Sequence, residues 1–384
     1  MSLYRGQPSK NRETAAAFAR YHEARHCTLT SSGSASLLCA LEAAGVGAGD
    51  EVIVPGLTWV ASASAILNAN AIPVFADIDR ETLCISPASI RDAITERTRA
   101  ILVVHLYAAV ADMQAIMEIA TRAGLVVIED CAQAHGAILD GKKVGTFGAL
   151  GCFSFHQSKV LTCGEGGAVI TDDPALHRRV EQLRADGRVM VDAPVAGQPE
   201  WIAGGEMMGT NFCLSELQAA VLLGQLEVLD EQLARRSDNA AHLDRLLAST
   251  AVARPQPTRV GNTRRSYYHY AVRIEPAAFE GIPIERIASA LSAELGARVF
   301  PIYPPLTQTP LYAPRTRKRF QLGDDHVERL SRTFSLPACI EAAQCHVAFH
   351  HALLLGSRQD MGDIAEAIDK VHRHRDELRG TAKR

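Results

Sequence analysis

Lys159 stands at the end of Phe153-Ser154-Phe155-His156-Gln157-Ser158-Lys159, and Thr162-Cys163-Gly164-Glu165-Gly166-Gly167 follows it. The chain has only seven lysines against 33 arginines, so a lysine between an apolar run and a glycine-rich turn is unlike a solvated surface residue. An amine closed into a partly apolar site is poorly solvated as a cation. Its pKa falls and it becomes a nucleophile, which is what a Schiff-base lysine needs.

Three other groups have chemical potential. Thr30-Ser31-Ser32-Gly33-Ser34-Ala35-Ser36 is a small polar turn that opens a helix at Leu37. Helix N-terminal amides with hydroxyl side chains hold a phosphate; the plainer alternative is a serine cap. The apolar Val126-Val127-Ile128-Glu129 delivers Asp130 to a strand end. An acid there can pair with a protonated pyridine nitrogen and keep the ring an electron sink; the alternative is a helix or loop cap. Trp59, one of two tryptophans, follows Pro55-Gly56 and either stacks on a flat ring or fills the core. Each signal is modest alone. Together they match the phosphate, ring nitrogen, ring face and aldehyde of pyridoxal phosphate.

The elements that position these groups are short apolar runs alternating with helical patterns. Strands are expected at 51–55, 72–76, 100–105 and 125–129, and helices at 61–69 and 111–123. The strands are rich in valine and isoleucine without alternation, as in a mostly parallel sheet buried on both faces. In such sheets functional residues gather beyond the carboxyl ends of strands. One long helix over 214–245 is expected to lead to a second domain. Beyond it come a loop at 249–261, a strand at 267–274, a helix at 283–295 stopped by Gly296, a proline-rich irregular stretch at 301–314 and an amphipathic helix at 360–378. The expected division is 1–245, a large cofactor-binding domain, and 246–384, a small C-terminal α+β domain.

A net charge of −3, without a basic stripe interleaved with aromatics, argues against nucleic acid as a partner. The nine cysteines are scattered and no two have Cys-x-x-Cys spacing, which fits buried thiols in a reducing compartment. With no signal peptide or membrane-length apolar run, a cytoplasmic soluble protein is expected.

Taken with Glu129-Asp130-Cys131-Ala132-Gln133-Ala134-His135-Gly136, the run from Ser154 to Gly167 and Gly209-Thr210-Asn211-Phe212, the chain resembles the DegT/DnrJ/EryC1/StrS aminotransferase family over about residues 15 to 375. The resemblance implies the type I aspartate-aminotransferase fold and pyridoxal 5'-phosphate as cofactor, with pyridoxamine phosphate as its half-reaction form. It also implies a role for individual residues. Lys159 would form the Schiff base, Asp130 would pair with the ring nitrogen, Gln133 would contact the phenolic side and Trp59 would stack. Gly33, Ser34, Ala35 and Ser154 would surround the phosphate. Asn211 would reach the phosphate of a neighbouring subunit, which implies a homodimer with shared active sites.

The runs 57–77, 182–186, 211–216 and 350–354 are similar to the aminocyclitol-forming branch, whose members move nitrogen from L-glutamine to scyllo-inosose or 2-deoxy-scyllo-inosose in aminoglycoside biosynthesis. Other acceptors that remain open are a nucleotide-linked keto sugar and a 3-amino-5-hydroxybenzoate-type ketone. A cofactor-binding regulator is a remote alternative. Dehydratases of the family replace the lysine with histidine, so Lys159 favours transamination. Two departures stand out: the N-terminus is expected to lack a lead-in segment found in the family, and Ser158 stands where aminocyclitol relatives can carry glycine. Candidate substrate contacts are His135 and His156, for which a structural hydrogen bond is the alternative, together with Arg184, Arg188 and Tyr303. No metal is expected: His350 and His351 are adjacent, so their side chains should point apart.

Overall fold

Strands without a polar face need cover on both sides, and these strands receive it. The computed structural model describes residues 9–190, 201–257 and 261–379. Among them a seven-stranded sheet is built from β1 (His26–Thr30), β2 (Glu51–Pro55), β3 (Ile72–Ala76), β4 (Thr98–Val104), β5 (Val126–Asp130), β6 (Leu150–Ser154) and β7 (Gly167–Thr171). The order is β1-β7-β6-β5-β4-β2-β3. The five strands from β3 to β6 in that order are parallel, and β7 is antiparallel to both neighbours. Every residue of β2, β3 and β6 is buried, the pattern of a sheet sandwiched between helices. This is the mostly parallel α/β architecture expected, with the type I aminotransferase fold.

The connecting helices include α1 (Lys10–His22), α2 (Gly33–Ala43) and α3 (Ala61–Asn68). α2 packs on β6 and β7, which brings its first turn against the end of β6. The long helix expected over 214–245 is instead two, α4 (Glu216–Glu227) and α5 (Leu229–Ala248). Ser215 and Gln218 form a capping box at the start of α4, and Val228 leaves helical geometry at φ −101°, ψ 0°. The break lets α4 pack on α1 while α5 runs to the second sheet. Its apolar spacing survives the interruption, so periodicity did not reveal it.

The second sheet comprises β8 (Ala253–Pro255), β9 (His269–Ile274), β10 (Val299–Pro301) and β11 (His346–His350), antiparallel in the order β8-β9-β11-β10. β8 lies where only a loop was expected. The helices Ile284–Leu295 and Arg358–Arg373 cover this sheet, and Gly296 ends the first of them at φ +59°. Leu243 and Leu247 of α5, Val272, Ile287, Leu291 and Ile364 share one apolar cluster there, separate from the cluster around the large sheet. No described helix is long and apolar enough to cross a membrane.

Candidate active site

Chain order places β3 on one side of β2 and β4 on the other. Such a reversal, at the carboxyl ends of the strands, is the usual ligand position in a parallel sheet. Trp59 follows β2, Tyr107 follows β4, Asp130 ends β5, and Ser154 ends β6 five residues before Lys159.

The structure brings Lys159 and Asp130 within electrostatic reach. Lys159 is half-buried. Burial lowers the Lys159 pKa to about 8, against the attraction of Asp130. Asp130 is buried. Burial raises its pKa, opposed by hydrogen bonds and by the charges of Lys159 and His105. Ser62 Oγ donates to its Oδ2 at 2.9 Å, and the Ala132 amide donates to its Oδ1 at 3.1 Å. The acid therefore has a local turn bond as well as a long-range partner.

Gln133 accepts the Tyr107 amide at 3.3 Å and donates to the Tyr303 hydroxyl at 3.4 Å. The Tyr303 amide in turn donates to the Tyr107 hydroxyl at 2.9 Å. Tyr107 and Ala108 both have left-handed backbones, φ +50° and +69°, which non-glycine residues adopt where the surrounding structure holds them. Trp59 is 50% exposed, so it is not a core residue, and its ring lies 5.8 Å from that of Tyr303. At the helix start Ser32 is the cap, accepting the Ala35 amide at 3.1 Å, while Ser34 is exposed. A Cβ on Gly33 would come within 2.6 Å of Ser154 Cβ, so the first turn of α2 presses directly on Ser154.

Residues 4–348 match the DegT/DnrJ/EryC1/StrS aminotransferase family. The chain belongs to this family. It is 55% identical to an L-glutamine:2-deoxy-scyllo-inosose aminotransferase of Streptomyces fradiae, over 97% of this chain and 88% of that one. It is 52% identical to an L-glutamine:scyllo-inosose aminotransferase of Streptomyces griseus, over 96% and 87%. Among solved structures, 3-amino-5-hydroxybenzoic acid synthase superposes with a TM-score of 0.82 at 31% identity, covering 95% of this chain and 91% of that one.

For a DegT/DnrJ/EryC1/StrS aminotransferase the implied cofactor is pyridoxal phosphate. The residues present fit it: a buried carboxylate, an amine of lowered pKa within its field, and a side-chain-free approach at Gly33 beside the Ser154 hydroxyl.

The other candidate residues separate into two groups. His135 is buried beside the site, its Nε2 2.9 Å from the Ser154 carbonyl, and burial followed by the charge of Lys159 lowers its pKa to about 3. His156 Nδ1 lies 2.9 Å from Ser158 Oγ. Asn211, Arg184 and Arg188 have no described contact with the Lys159 group. Asn211 is exposed and bridges Ala185. Arg184 and Arg188 both lie over the Trp201 ring, at 5.1 and 5.5 Å. Arg184 also lines a cavity of about 330 Å³ with Arg25, His26 and His177, which shares no lining residue with the Lys159 group.

The expectation that His350 and His351 point apart is wrong. Both Nε2 atoms reach the Ser158 carbonyl, at 2.9 and 3.2 Å. β11 ends at His350 and a 3-10 turn begins at His351, so strand alternation no longer applies.

His105, Glu129 and Cys131 lie close enough together to hold a metal, but their bonds are already committed. Glu129 accepts from His105 Nε2 and the Gly145 and Gly148 amides at 3.1, 2.8 and 2.7 Å, and His105 Nδ1 accepts the Ala111 amide at 3.2 Å.

Sequence reasoning missed Ser62 and Tyr268. The Lys159 amine lies 3.9 Å over the Tyr268 ring. The dense aromatic run Tyr267-Tyr268-His269-Tyr270 was the available signal.

Proposed function

We propose that the protein transfers the amino group of L-glutamine to a cyclic polyol ketone of the scyllo-inosose or 2-deoxy-scyllo-inosose type, with pyridoxal phosphate as resident cofactor. The observation that carries this reading is the enclosed pair of Lys159 and Asp130 at adjacent strand ends. The activities of relatives more than half identical suggest the substrates. When bound, pyridoxal phosphate supplies an aldehyde that receives amino groups and a cationic ring that stores the electron pair left by a departing proton.

The chain's own residues do the rest. Lys159 is the tether at rest and then the base that removes the α-proton of the donor. An amine pKa near 8 suits that task, because catalytic bases work best near the ambient pH. Asp130 holds a negative charge for the ring nitrogen, with Ser62 keeping it oriented. Gln133, hydrogen-bonded to Tyr303, would contact the ring's phenolic side and Trp59 would stack on its face, and Gly33, Ser34, Ala35 and Ser154 would hold the phosphate. The nitrogen passes to the acceptor by the reverse proton movements, which predicts ping-pong kinetics.

Asn211 is assigned to the phosphate of a neighbouring subunit, in a homodimer. Its exposure supports this, as do Leu217 and Val221, one helical turn apart on α4 and 82% and 53% exposed. The division near residue 245 is supported by the second apolar cluster, most of whose members follow that position, while Ala271, Leu336 and Ala348 beyond it pack into the first. The scattered thiols support a cytoplasmic enzyme.

The test is an acceptor panel with glutamine as donor: scyllo-inosose, 2-deoxy-scyllo-inosose, an aminoshikimate precursor and a nucleotide-linked keto sugar, with aminated product detected by mass. The inososes should react fastest. Preference for the nucleotide-linked sugar would overturn the acceptor assignment.

A further inference from the structure

Tyr268 has two attachments that suit a single task. Its ring face lies under the Lys159 amine, 3.9 Å from Nζ to the centroid. Its hydroxyl is fixed 2.9 Å from Ser158 Oγ, which lies 2.9 Å from His156 Nδ1. That Nδ1 also accepts the Ser158 amide at 3.2 Å. It therefore presents a lone pair, and the chain runs from Tyr268 O–H through the Ser158 hydroxyl to His156. The Tyr268 carbonyl accepts the His351 amide at 3.2 Å, while His350 and His351 hold the Ser158 carbonyl. The ring and the residue preceding the lysine are thus fixed to the same end of the small sheet.

We propose that the face of Tyr268 is the docking surface for the Lys159 ammonium whenever that amine is not bonded to the cofactor, and that the ring thereby keeps the amine basic enough to take a proton. The inference rests on Lys159 being the reactive amine. An ammonium is attracted to the negative face of an aromatic ring, most strongly where water is excluded.

The other groups facing the amine leave that task to the ring and Asp130. Asp130 from β5 is the attractive charge. His135 after β5, His269 on β9 and His350 on β11 are all driven toward the neutral form, by burial first. Tyr268 therefore supplies the second attraction that opposes desolvation of the amine. Its hydroxyl bonds to Ser158 and does not itself take the proton.

Two variants separate face from hydroxyl: Tyr268→Phe keeps the face, and Tyr268→Leu removes it. In the full-length chain before cofactor is added, trace acetylation of Lys159 is followed against pH by peptide mass spectrometry, with the other lysines as internal references. Tyr268→Leu should lower the midpoint for Lys159 by about one unit, and Tyr268→Phe should leave it near the wild-type value. If Tyr268→Leu does not fold, Tyr268→Met carries the same expectation.

A Tyr268→Leu midpoint equal to the wild-type value overturns the proposal, as does an equal drop in Tyr268→Phe. The underlying reading fails separately: that would appear as a cofactor absorbance band retained in Lys159→Ala.

Discussion

Ser62→Ala isolates the support of the proposed electron-sink partner without touching the reacting atoms. Ser62 donates to Oδ2 of Asp130 at 2.9 Å, with both side chains buried. A hydrogen bond to an ionised acceptor contributes about 1.5–3 kcal/mol and favours the charged form. Burial already drives the Asp130 pKa upward, so loss of the serine removes one of the opposing interactions. The expected further rise corresponds to about one to two pH units. A higher pKa keeps the carboxyl protonated to higher pH, so the ring nitrogen loses its charged partner from the acid side. The acid limb of the glutamine half-reaction should therefore move upward by about one to two units, while the alkaline plateau stays near the wild-type rate. Stopped-flow bleaching of the bound cofactor, measured from mildly acid to mildly alkaline pH, reads both features. Thermal unfolding verifies that the variant is folded. A Ser62→Ala profile that superimposes on the wild-type one would refute the argument.

The remaining predictions concern the frame of the site. Glu129→Gln places an amide N–H₂ against a backbone N–H at Gly145 or Gly148, and should destabilise the protein by about 3 kcal/mol in urea unfolding; a loss under about 1 kcal/mol would contradict the network. Gly33→Ala sets a Cβ 2.6 Å from Ser154 Cβ and should weaken pyridoxal phosphate binding about tenfold in a titration, whereas an unchanged affinity would remove the phosphate assignment. His22 is buried, and burial first, ahead of the other influences, lowers its folded pKa to about 3 from 6.5. The unfolded chain takes up this proton first, so the stability His22 contributes is complete above about pH 6.5. It is lost as pH falls toward about 3, at about 1.4 kcal/mol per pH unit. His22→Phe should flatten the decline in urea stability on acidification, and an identical pH slope in the variant would sink this attribution.

The parts of the site legible in the sequence were those carried by local context. Lys159 and Asp130 stood out because an ionisable residue beside an apolar run is costly unless it is used; the strand rhythm placed Asp130 at a carboxyl end, whereas the strand Leu150–Ser154 before Lys159 was not expected. Trp59 was singled out by its place after the strand at 51–55, and Gly33 by the small polar turn that opens a helix. Tyr268 was not, because its place under Lys159 comes from packing β9 against a loop 110 residues away. The His350 and His351 pair misled because a strand end passing into a tight turn abandons alternation. Arg184 and Arg188 were singled out by charge alone, and in the structure both guanidinium groups lie over the Trp201 ring.

The central claim is that Lys159 governs a reversible exchange of nitrogen through a pyridoxal cofactor. Its most direct test is the absorbance of the purified protein reconstituted with pyridoxal phosphate. The band of the bound aldehyde form should bleach on adding L-glutamine and return on adding 2-deoxy-scyllo-inosose, with neither change in Lys159→Ala. A wild-type protein that acquires no chromophore, or a Lys159→Ala variant that cycles at the wild-type rate, would contradict the account.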